Sequence, residues 1–477
     1  MKDLPVLEGL LNYMKENNAP FSMPGHKSGR AFMRTAEGKA LQEVMLQGDI
    51  TEVEGLDNYH DPKGIIKEGQ RLLKELYGSE ESYFLVNGST SGNLVMIFSS
   101  FNEGDKILVE RNCHKSIFNA IILRKLQPIY IKNYYSNRYN APISMDMEHF
   151  LEIIEEHQDI KGVILTYPNY YGVACDLAKI IEKCREKSIK VLVDCAHGAH
   201  FGISNKLPEN PIKLGAHMAV MSAHKTLPSL TQTAYLHLGR GADKDKVKFY
   251  LSAFSSTSPS YIFMAFMDYA RFYLSKYGKE DFDSCIRLIE EYAEKIDKLE
   301  GFSVWKEQDL SCDYPKWQLK LDRSRLIIHV EQDYNAYLIL DYLREKGVQC
   351  EMTDGYNLVL IASPFNEIED YKRLYEALKQ CPLHKFIANS HINWQRHLPR
   401  ISLLPWEVLD CQIEELNFKD AVGRISAANI VPYPPGIPII MMGENIDKFT
   451  VNMIQYCISN QATVIGVEGQ KIKVVKT

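Results

Sequence analysis

The chain has 477 residues, a length that accommodates one to three packed domains. Hydrophobic residues make up 45% and charged residues 24% of the sequence, which excludes general disorder and provides for a large core. The net charge of −6 argues against nucleic acid as a partner, because binding to phosphate groups needs a concentrated basic face.

The sequence contains no predicted export or membrane segment. Its N-terminal stretch lacks the apolar core of a signal peptide, and no apolar run approaches the roughly 20 residues that span a bilayer. The ten cysteines are scattered and form no CxxC pair, so no metal site is expected. We therefore expect a cytoplasmic protein with reduced thiols.

Short apolar runs alternate with amphipathic stretches between residues 80 and 240. The predicted strands are Tyr83–Val86, Ile107–Glu110, Ile129–Ile131, Val163–Thr166, Val191–Asp194, Met218–Met221 and Ala234–Leu238. Apolar strands separated by helices predict an α/β fold with a mainly parallel sheet covered on both faces. The ligand crevice of such a sheet lies beyond the carboxyl ends of its strands.

The rest of the chain predicts smaller α+β units. Long helices are expected at Tyr261–Tyr277 and Asp281–Leu299, and another near Phe418–Ala427. The expected division is an N-terminal arm (1–60), a large domain (61–270), a small α+β domain (271–385) and a C-terminal domain (386–477).

The segment Ser222–Thr226 follows a predicted strand directly and contains Lys225. A lysine at the end of a strand can act as a Schiff-base nucleophile when its surroundings lower its pKa. Taken alone, the pattern is more often a solvated lysine in a loop.

Asp194 ends the apolar strand that begins near Val191. A buried carboxylate at this place needs a cationic or hydrogen-bonding partner. The protonated ring nitrogen of pyridoxal phosphate would be such a partner, and that cofactor pairs a lysine Schiff base with an acidic group. A helix cap or a metal ligand remains the alternative for Asp194.

The segment Asn87–Asn93 lies between a predicted strand and a helix and is rich in Gly, Ser and Thr. Backbone N–H groups and hydroxyls at a helix N-terminus favour a phosphate. The segment matches neither the dinucleotide fingerprint nor the P-loop, and an ordinary N-cap is the alternative.

Two histidines lie near the same predicted edge of the sheet. His114, in the segment Arg111–Ser116, could stack on a flat cofactor ring, and His197 could hydrogen-bond to Asp194. A lone histidine is more often structural. The order of phosphate loop, histidine, aspartate and lysine, each after a strand, is harder to explain by chance.

These motifs resemble the Orn/Lys/Arg decarboxylase family. The pieces that carry the resemblance are Met23-Pro-Gly-His-Lys27, His60-Asp-Pro-Lys-Gly-Ile65, Asn87-Gly-Ser-Thr-Ser91, Arg111-Asn-Cys-His-Lys-Ser116, Asp194-Cys-Ala-His-Gly198, Ser222-Ala-His-Lys225 and Tyr433-Pro-Pro-Gly-Ile-Pro438. The resemblance implies pyridoxal phosphate as cofactor and the aspartate-aminotransferase-like fold type I, with a mainly parallel seven-stranded sheet. It is strongest to the short bacterial form related to biosynthetic arginine decarboxylase, without the wing domain of the long enzymes. Two departures are Cys195, where many relatives have Glu, and Thr226-Leu-Pro228, where some have Leu-Gly-Gly.

The resemblance also implies roles for individual residues. Lys225 would hold the cofactor covalently, Asp194 would pair with its ring nitrogen, and His114 would stack on its ring. The catalytic set is completed by His224, beside the lysine. The remaining cofactor contacts implied are Ser89, Thr90, Ser91, Ala196, His197 and Ser222, with Thr257 and Ser258 reaching the phosphate of a neighbouring subunit, which implies at least a homodimer.

The implied reaction is decarboxylation of arginine, lysine or ornithine to agmatine, cadaverine or putrescine, a step of polyamine metabolism. The distal cation of such a substrate needs carboxylates, and at least one member of a small pool is expected to contact it, although each could equally be a solvated surface acid. The pool is Asp49, Glu54, Asp57 and Glu444.

Two other classes of protein remain possible. Aminotransferases of the same fold hold the α-carboxylate with an arginine of the small domain, often in an Asn-x-x-Arg setting, and no such setting follows Leu358–Ile361. A non-catalytic cofactor-binding regulator would need a DNA-binding module, which the first 20 residues cannot hold.

Overall fold

The computed structural model describes residues 3–388, 398–433, 436–460 and 462–476. Seven strands form the central sheet, numbered β1 (Glu81–Leu85), β2 (Lys106–Glu110), β3 (Gln127–Ile131), β4 (Gly162–Thr166), β5 (Lys190–Asp194), β6 (Met218–Met221) and β7 (Ala234–Leu238). Their order is β1-β7-β6-β5-β4-β2-β3. Strand β7 runs antiparallel to β6 and β1, and the other neighbours are parallel. The seven predicted strands and the mainly parallel sheet are confirmed.

Both faces of the sheet are buried, because alternate residues of one strand enter different cores. In β4, Val163 and Leu165 belong to one hydrophobic core and Ile164 to another on the opposite face. The helices of the chain are Pro5–Lys15, Ala36–Gln47, Ile65–Tyr77, Gly88–Ser100, Lys115–Leu123, Met147–Glu156, Leu177–Glu186, Pro211–Leu214, Ala223–Thr226, Lys244–Ala253, Tyr261–Tyr273, Lys279–Ile296, Glu307–Asp313, Ala336–Glu345, Ile368–Lys379 and Lys448–Ser459.

A second sheet lies in the part of the chain expected to form the small domain. Its strands, in spatial order, are Phe302–Val304, Arg325–Val330, Asn357–Ile361 and Met352–Thr353, all antiparallel. The predicted long helices are confirmed as Tyr261–Tyr273 and Lys279–Ile296, joined by a π-helical turn. The N-terminal strand Ala19–Phe21 pairs in parallel with Val348–Cys350, so this part of the expected arm packs on the small domain.

The C-terminal region contains a three-stranded sheet of Ile413–Asn417, Lys471–Val475 and Val467–Glu468. The predicted helix at Phe418–Ala427 is wrong, since only the short 3₁₀ turn Phe418–Asp420 forms there. Gly423 has a φ of 87°, and the chain beyond it pairs instead with other strands, as Ser426 does with Val474. Tertiary pairing thus overrides the local amphipathic pattern.

The remaining strands form three two-stranded pairs. These are Asn133–Ser136 with Ala141–Met145, Val173–Ala174 with Lys320–Leu321, and Val431–Tyr433 with Thr463–Ile465. Among the residues described, no helix combines the length and apolarity needed to cross a bilayer, and no cluster of three metal-ligating side chains occurs.

Candidate active site

A cavity of about 320 Å³ opens where β2, β4, β5 and β6 end. Thr166 and Asp194 are the last residues of β4 and β5, and His224 and Lys225 lie on the turn that follows β6. Its lining residues are Asn87, Gly88, Ser89, Thr90, Asn112, Cys113, His114, Thr166, Tyr170, Asp194, Ala196, His197, His224, Lys225, Thr231, Gln232, Gly436 and Ile437. The strand-end residues singled out from the sequence therefore share one cavity.

Lys225 lies on the short helix Ala223–Thr226. Burial lowers the pKa of its amine to about 8, although Asp194 nearby opposes this shift. The backbone N–H of Gly25 donates to the carbonyl of His224 at 2.7 Å. A Cβ at Gly25 would lie 2.6 Å from the carbonyl carbon of Thr226, so only glycine allows the Met23–Lys27 motif to brace this turn.

Asp194 is only 2% exposed, and both of its carboxylate oxygens accept hydrogen bonds. Oδ1 accepts from the backbone N–H of Ala196 at 3.1 Å, and Oδ2 accepts from the Asn93 side-chain amide at 2.9 Å. These two donors fix the carboxylate at the floor of the cavity.

His114 is linked to Asp194 through two side chains. The amide of Asn93 also donates to Ser116 Oγ at 2.9 Å, and Ser116 Oγ lies 2.9 Å from His114 Nδ1. The backbone N–H of Ser116 donates to the same nitrogen, so Nδ1 is an acceptor and the proton of the neutral ring lies on Nε2. Burial lowers the pKa of His114, which keeps the ring neutral.

His224 and His197 flank Lys225. His224 Nδ1 donates to the carbonyl of Thr233 at 2.9 Å, and burial lowers the pKa of His224 to about 4. His197 lies 3.1 Å from Lys225 Nζ through Nε2 and 2.8 Å from Arg325 through Nδ1. Since both ring nitrogens are engaged, neither is left for the Asp194 carboxylate with which a hydrogen bond was predicted.

Two of the hydroxyls expected to bind phosphate line the cavity. These are Ser89 and Thr90, in the first turn of the helix Gly88–Ser100. Ser222 and Ser91 do not line it: Ser222 Oγ is buried without a hydrogen-bond partner among the described residues, and the Ser91 hydroxyl donates to the Gly88 carbonyl.

Thr257 and Ser258 are exposed and lie outside the cavity of their own chain. Of the motif Tyr433–Pro438, Gly436 and Ile437 line the cavity, while Pro434 and Pro435 lie outside the described residues.

The four predicted substrate acids do not line the cavity of this chain. Asp57 caps the start of the helix Ile65–Tyr77 by accepting backbone N–H groups, including that of Gly64 at 2.8 Å. Burial acts to raise the pKa of Asp57, but these backbone hydrogen bonds together outweigh it and lower the pKa. Asp49 and Glu54 are exposed.

Glu444 is buried and paired with Arg111, whose Nη2 donates to its Oε2 at 2.8 Å. Burial raises the pKa of Glu444 to about 7, against the opposing effect of Arg111. Arg111 follows β2 and lies three residues before His114, so its ion pair with Glu444 connects the C-terminal region to this edge of the sheet. Ile437, seven residues before Glu444, lines the cavity. In the structure, Glu444 therefore forms an ion pair with Arg111 and does not line the cavity.

Sequence reasoning missed several residues of the site. Asn93 and Ser116 lay inside the quoted motifs, three residues after Thr90 and two residues after His114, and this closeness to cavity-lining residues was the available signal. Tyr170, which lines the cavity, and Arg325, which contacts His197, carried no local signal because they reach the site only through the fold.

Replacing Glu110 by Gln should alter how stability depends on pH. Glu110 ends β2, is buried, and accepts from the backbone N–H of Thr166 at 2.9 Å, and burial raises its pKa from 4.5 to about 7. Between these values the folded state binds more protons than the unfolded state, so this group makes stability fall as pH rises from 4.5 to 7. We expect Glu110→Gln to be more stable than wild type by about 3 kcal/mol at pH 8, with no such gain at pH 4.

Urea midpoints of both proteins across this pH range provide the measurement. Parallel profiles for wild type and Glu110→Gln would contradict the assignment, and Glu80→Gln, an exposed acid at the start of β1, is the control.

Comparison with known proteins identifies the family. The Orn/Lys/Arg decarboxylase major-domain model matches residues 4–370, and the C-terminal-domain model of the same family matches residues 401–465. The chain therefore belongs to the Orn/Lys/Arg decarboxylase family.

Relatives that match nearly the whole chain support this family assignment. The chain is 36% identical to the uncharacterized protein YaaO of Bacillus subtilis, over 98% of this chain and 97% of that protein. It is 32% identical to the arginine decarboxylase of the same organism, over 98% of this chain and 95% of the relative. The fold is that of a Francisella novicida lysine decarboxylase, with a TM-score of 0.78 at 20% identity, covering 96% of this chain and 79% of that one.

The cavity fits pyridoxal phosphate, the cofactor of this enzyme. An amine and a carboxylate, Lys225 and Asp194, line one cavity, as attachment and ring-nitrogen pairing require. Ser89 and Thr90 provide hydroxyl donors for a phosphate in the cavity, and the buried Ser222 hydroxyl, which does not line the cavity, has no hydrogen-bond partner among the described residues. The protein is thus a pyridoxal-phosphate-dependent decarboxylase of fold type I.

Proposed function

We propose that the protein decarboxylates arginine to agmatine in the cytoplasm, as a step of polyamine metabolism. The observation that carries the proposal is that Lys225, Asp194 and His114 line one cavity in a chain of this family. Arginine is preferred over lysine and ornithine because the similarity to the Bacillus subtilis arginine decarboxylase spans nearly all of both chains.

Each of these side chains has a proposed task. Pyridoxal phosphate, when bound, accepts the electron pair that stays on Cα as CO₂ leaves. Asp194 stabilises positive charge at the ring nitrogen, and Asn93 and Ala196 keep its oxygens in place. The neutral His114 ring supplies a flat face, and Ser89, Thr90 and Ser222 hold the phosphate.

Lys225 is the proposed proton donor to Cα. An amine with a pKa of about 8 is largely protonated at neutral pH and can give a proton readily. His224 has a pKa of about 4, so its ring is neutral at this pH and its Nε2 carries no proton. His224 is therefore assigned to orienting the reacting groups beside Lys225.

The site is proposed to be shared between two subunits. Asp49 and Glu54 lie in an exposed segment whose apolar neighbours include Leu46, 84% exposed, and Val53, 51% exposed. Large apolar side chains gathered in this way favour a protein interface. We assign the distal cation of the substrate to Asp49 or Glu54 of the second subunit, and the phosphate of that subunit to Thr257 and Ser258.

A competition assay tests the substrate. The purified protein, supplied with pyridoxal phosphate, is given arginine, lysine and ornithine together, and the amines are identified by mass spectrometry. We expect agmatine to predominate. Cadaverine or putrescine as the main product would replace arginine by lysine or ornithine, and a keto acid would overturn decarboxylation as the reaction.

Mixing two inactive variants tests the shared site. One subunit carries Lys225→Ala and the other Asp49→Asn with Glu54→Gln. If the acids act on the partner's cavity, a mixed dimer has one complete site, and random mixing should restore about one quarter of wild-type activity. If the acids act within their own chain, no complete site exists in any dimer and activity stays at the level of the variants alone.

A further inference from the structure

Two hydrogen bonds connect Arg325, through His197, to Lys225. Arg325 begins the strand Arg325–Val330, and its Nη2 donates to His197 Nδ1 at 2.8 Å. His197 Nε2 in turn lies 3.1 Å from Lys225 Nζ. Arg325 is 3% exposed and His197 is 5% exposed, so the contact between these two side chains is shielded from water.

Counting protons fixes the direction of both hydrogen bonds. A guanidinium has donors only, so His197 Nδ1 must be the acceptor. The proton of the neutral imidazole then lies on Nε2, which points at Lys225 Nζ. An ammonium at Lys225 would place one donor against another, whereas an unprotonated amine can accept this hydrogen bond.

The guanidinium is itself held in place. Arg325 Nε lies 3.6 Å from a carboxylate oxygen of Asp322, and both side chains are fully buried. The other oxygen of Asp322 accepts from the Ser324 hydroxyl at 2.6 Å and pairs with His200 Nε2 at 3.1 Å. A Cβ at Gly172, which has a φ of 83°, would lie 2.6 Å from Arg325 Cγ, so a side chain at this position would displace the arginine.

We infer that Arg325 is a positioning residue that fixes the tautomer of His197 and thereby shifts Lys225 Nζ towards the amine form, the form that captures the cofactor. This role does not depend on which basic amino acid is the substrate. Capture joins Nζ to the aldehyde carbon of pyridoxal phosphate as a C=N bond with release of one water, so the lone pair of an amine is required.

The electrostatics around Lys225 agree with this role. Burial lowers its pKa to about 8; Asp194 raises it, Arg325 lowers it and Glu351 raises it. Burial, with Lys225 and Arg325, also holds the pKa of His197 far below its usual value, so its ring is neutral. The other titratable groups near His197 and Lys225 among the described residues include His114, His224 and Tyr170, whose ring centroid lies 4.8 Å from that of His197.

The test follows cofactor capture without any amino acid substrate. The full-length protein is freed of cofactor, and its rate of reaction with pyridoxal phosphate is followed by visible absorption as a function of pH. In wild type the rate should fall below an inflection near the pKa of Lys225, about 8. In Arg325→Met we expect the inflection to rise by about one pH unit, with capture about tenfold slower at pH 7.

Three further variants separate the possible causes. Arg325→Lys keeps a cation and a donor and should recover part of the shift. Arg323→Gln, an exposed arginine of the same turn paired with Glu290, should behave as wild type. In a protein that already carries His197→Phe, adding Arg325→Met should move the inflection by less than half as much as in wild type.

An unchanged inflection in Arg325→Met would overturn the inference. An equal shift with and without His197 would also overturn it, because the arginine would then act only through its charge. Failure of the substrate assay above leaves this result unaffected, since no amino acid is present.

Discussion

Lys225→Ala should lose covalently bound cofactor and reduce amine formation by about 10⁴-fold. Lys225 lines the cavity with its amine near His197 and Asp194, and an alanine leaves no group there that can form a Schiff base. The folded protein should persist, because the change removes a buried amine and creates no unpaired charge. The measurements are the visible absorption of the purified protein and the rate of CO₂ release.

Lys213→Ala is the matched control, since Lys213 is an exposed lysine of the same domain and should retain both properties. A Lys225→Ala protein that keeps its visible band and turns over at the wild-type rate would assign the cofactor to another lysine.

Asp194→Asn should bind the cofactor but turn over about 10³-fold more slowly, a loss of about 4 kcal/mol in transition-state stabilisation. The amide keeps the size of the side chain but loses the charge that stabilises a protonated ring nitrogen. Asn93 and the Ala196 N–H remain available to hold the new side chain, so the fold should not change. The mass of the borohydride-reduced protein checks binding, and steady-state kinetics check turnover.

Asp245→Asn, at an exposed aspartate in the first turn of the helix Lys244–Ala253, is the control. Undiminished turnover in Asp194→Asn would refute its role at the ring nitrogen.

The placement of Arg325 also separates this enzyme from aminotransferases. Its Nη2 donates to His197 and its Nε lies 3.6 Å from Asp322, while Nε and Nη1 have no hydrogen-bond partner among the described residues. The side chain does not line the cavity, so it is not placed there to hold a substrate α-carboxylate. Weak binding of that carboxylate suits an enzyme that must release it as CO₂.

The local pattern of apolar runs was sufficient to predict the central sheet and the residues at the ends of its strands. Lys225, Asp194 and His114 were found because each follows an apolar run, and the carboxyl ends of parallel strands meet at one edge. Two of the acids predicted to bind substrate make other contacts, one of them long-range and one local. Glu444 pairs with Arg111, 333 residues away in the chain, and Asp57 caps the helix that follows it.

Contacts between residues far apart in the chain could not be predicted from the sequence. Arg325 meets His197 across 128 residues, and nothing in either segment signals the other. The helix expected at Phe418–Ala427 failed because strand pairing, as between Ser426 and Val474, competes with an amphipathic pattern of similar length.

The most direct test of the central claim is to find which lysine carries the cofactor. Among the described residues, Lys27 is a second buried lysine with a strongly lowered pKa, about 7, but its Nζ donates to the carbonyls of Ser22 and Ile361, and it does not line the cavity. Borohydride reduction of the holoenzyme followed by peptide mass mapping should place the pyridoxyl group on Lys225. A pyridoxyl group on Lys27, or on any other lysine, would contradict the account.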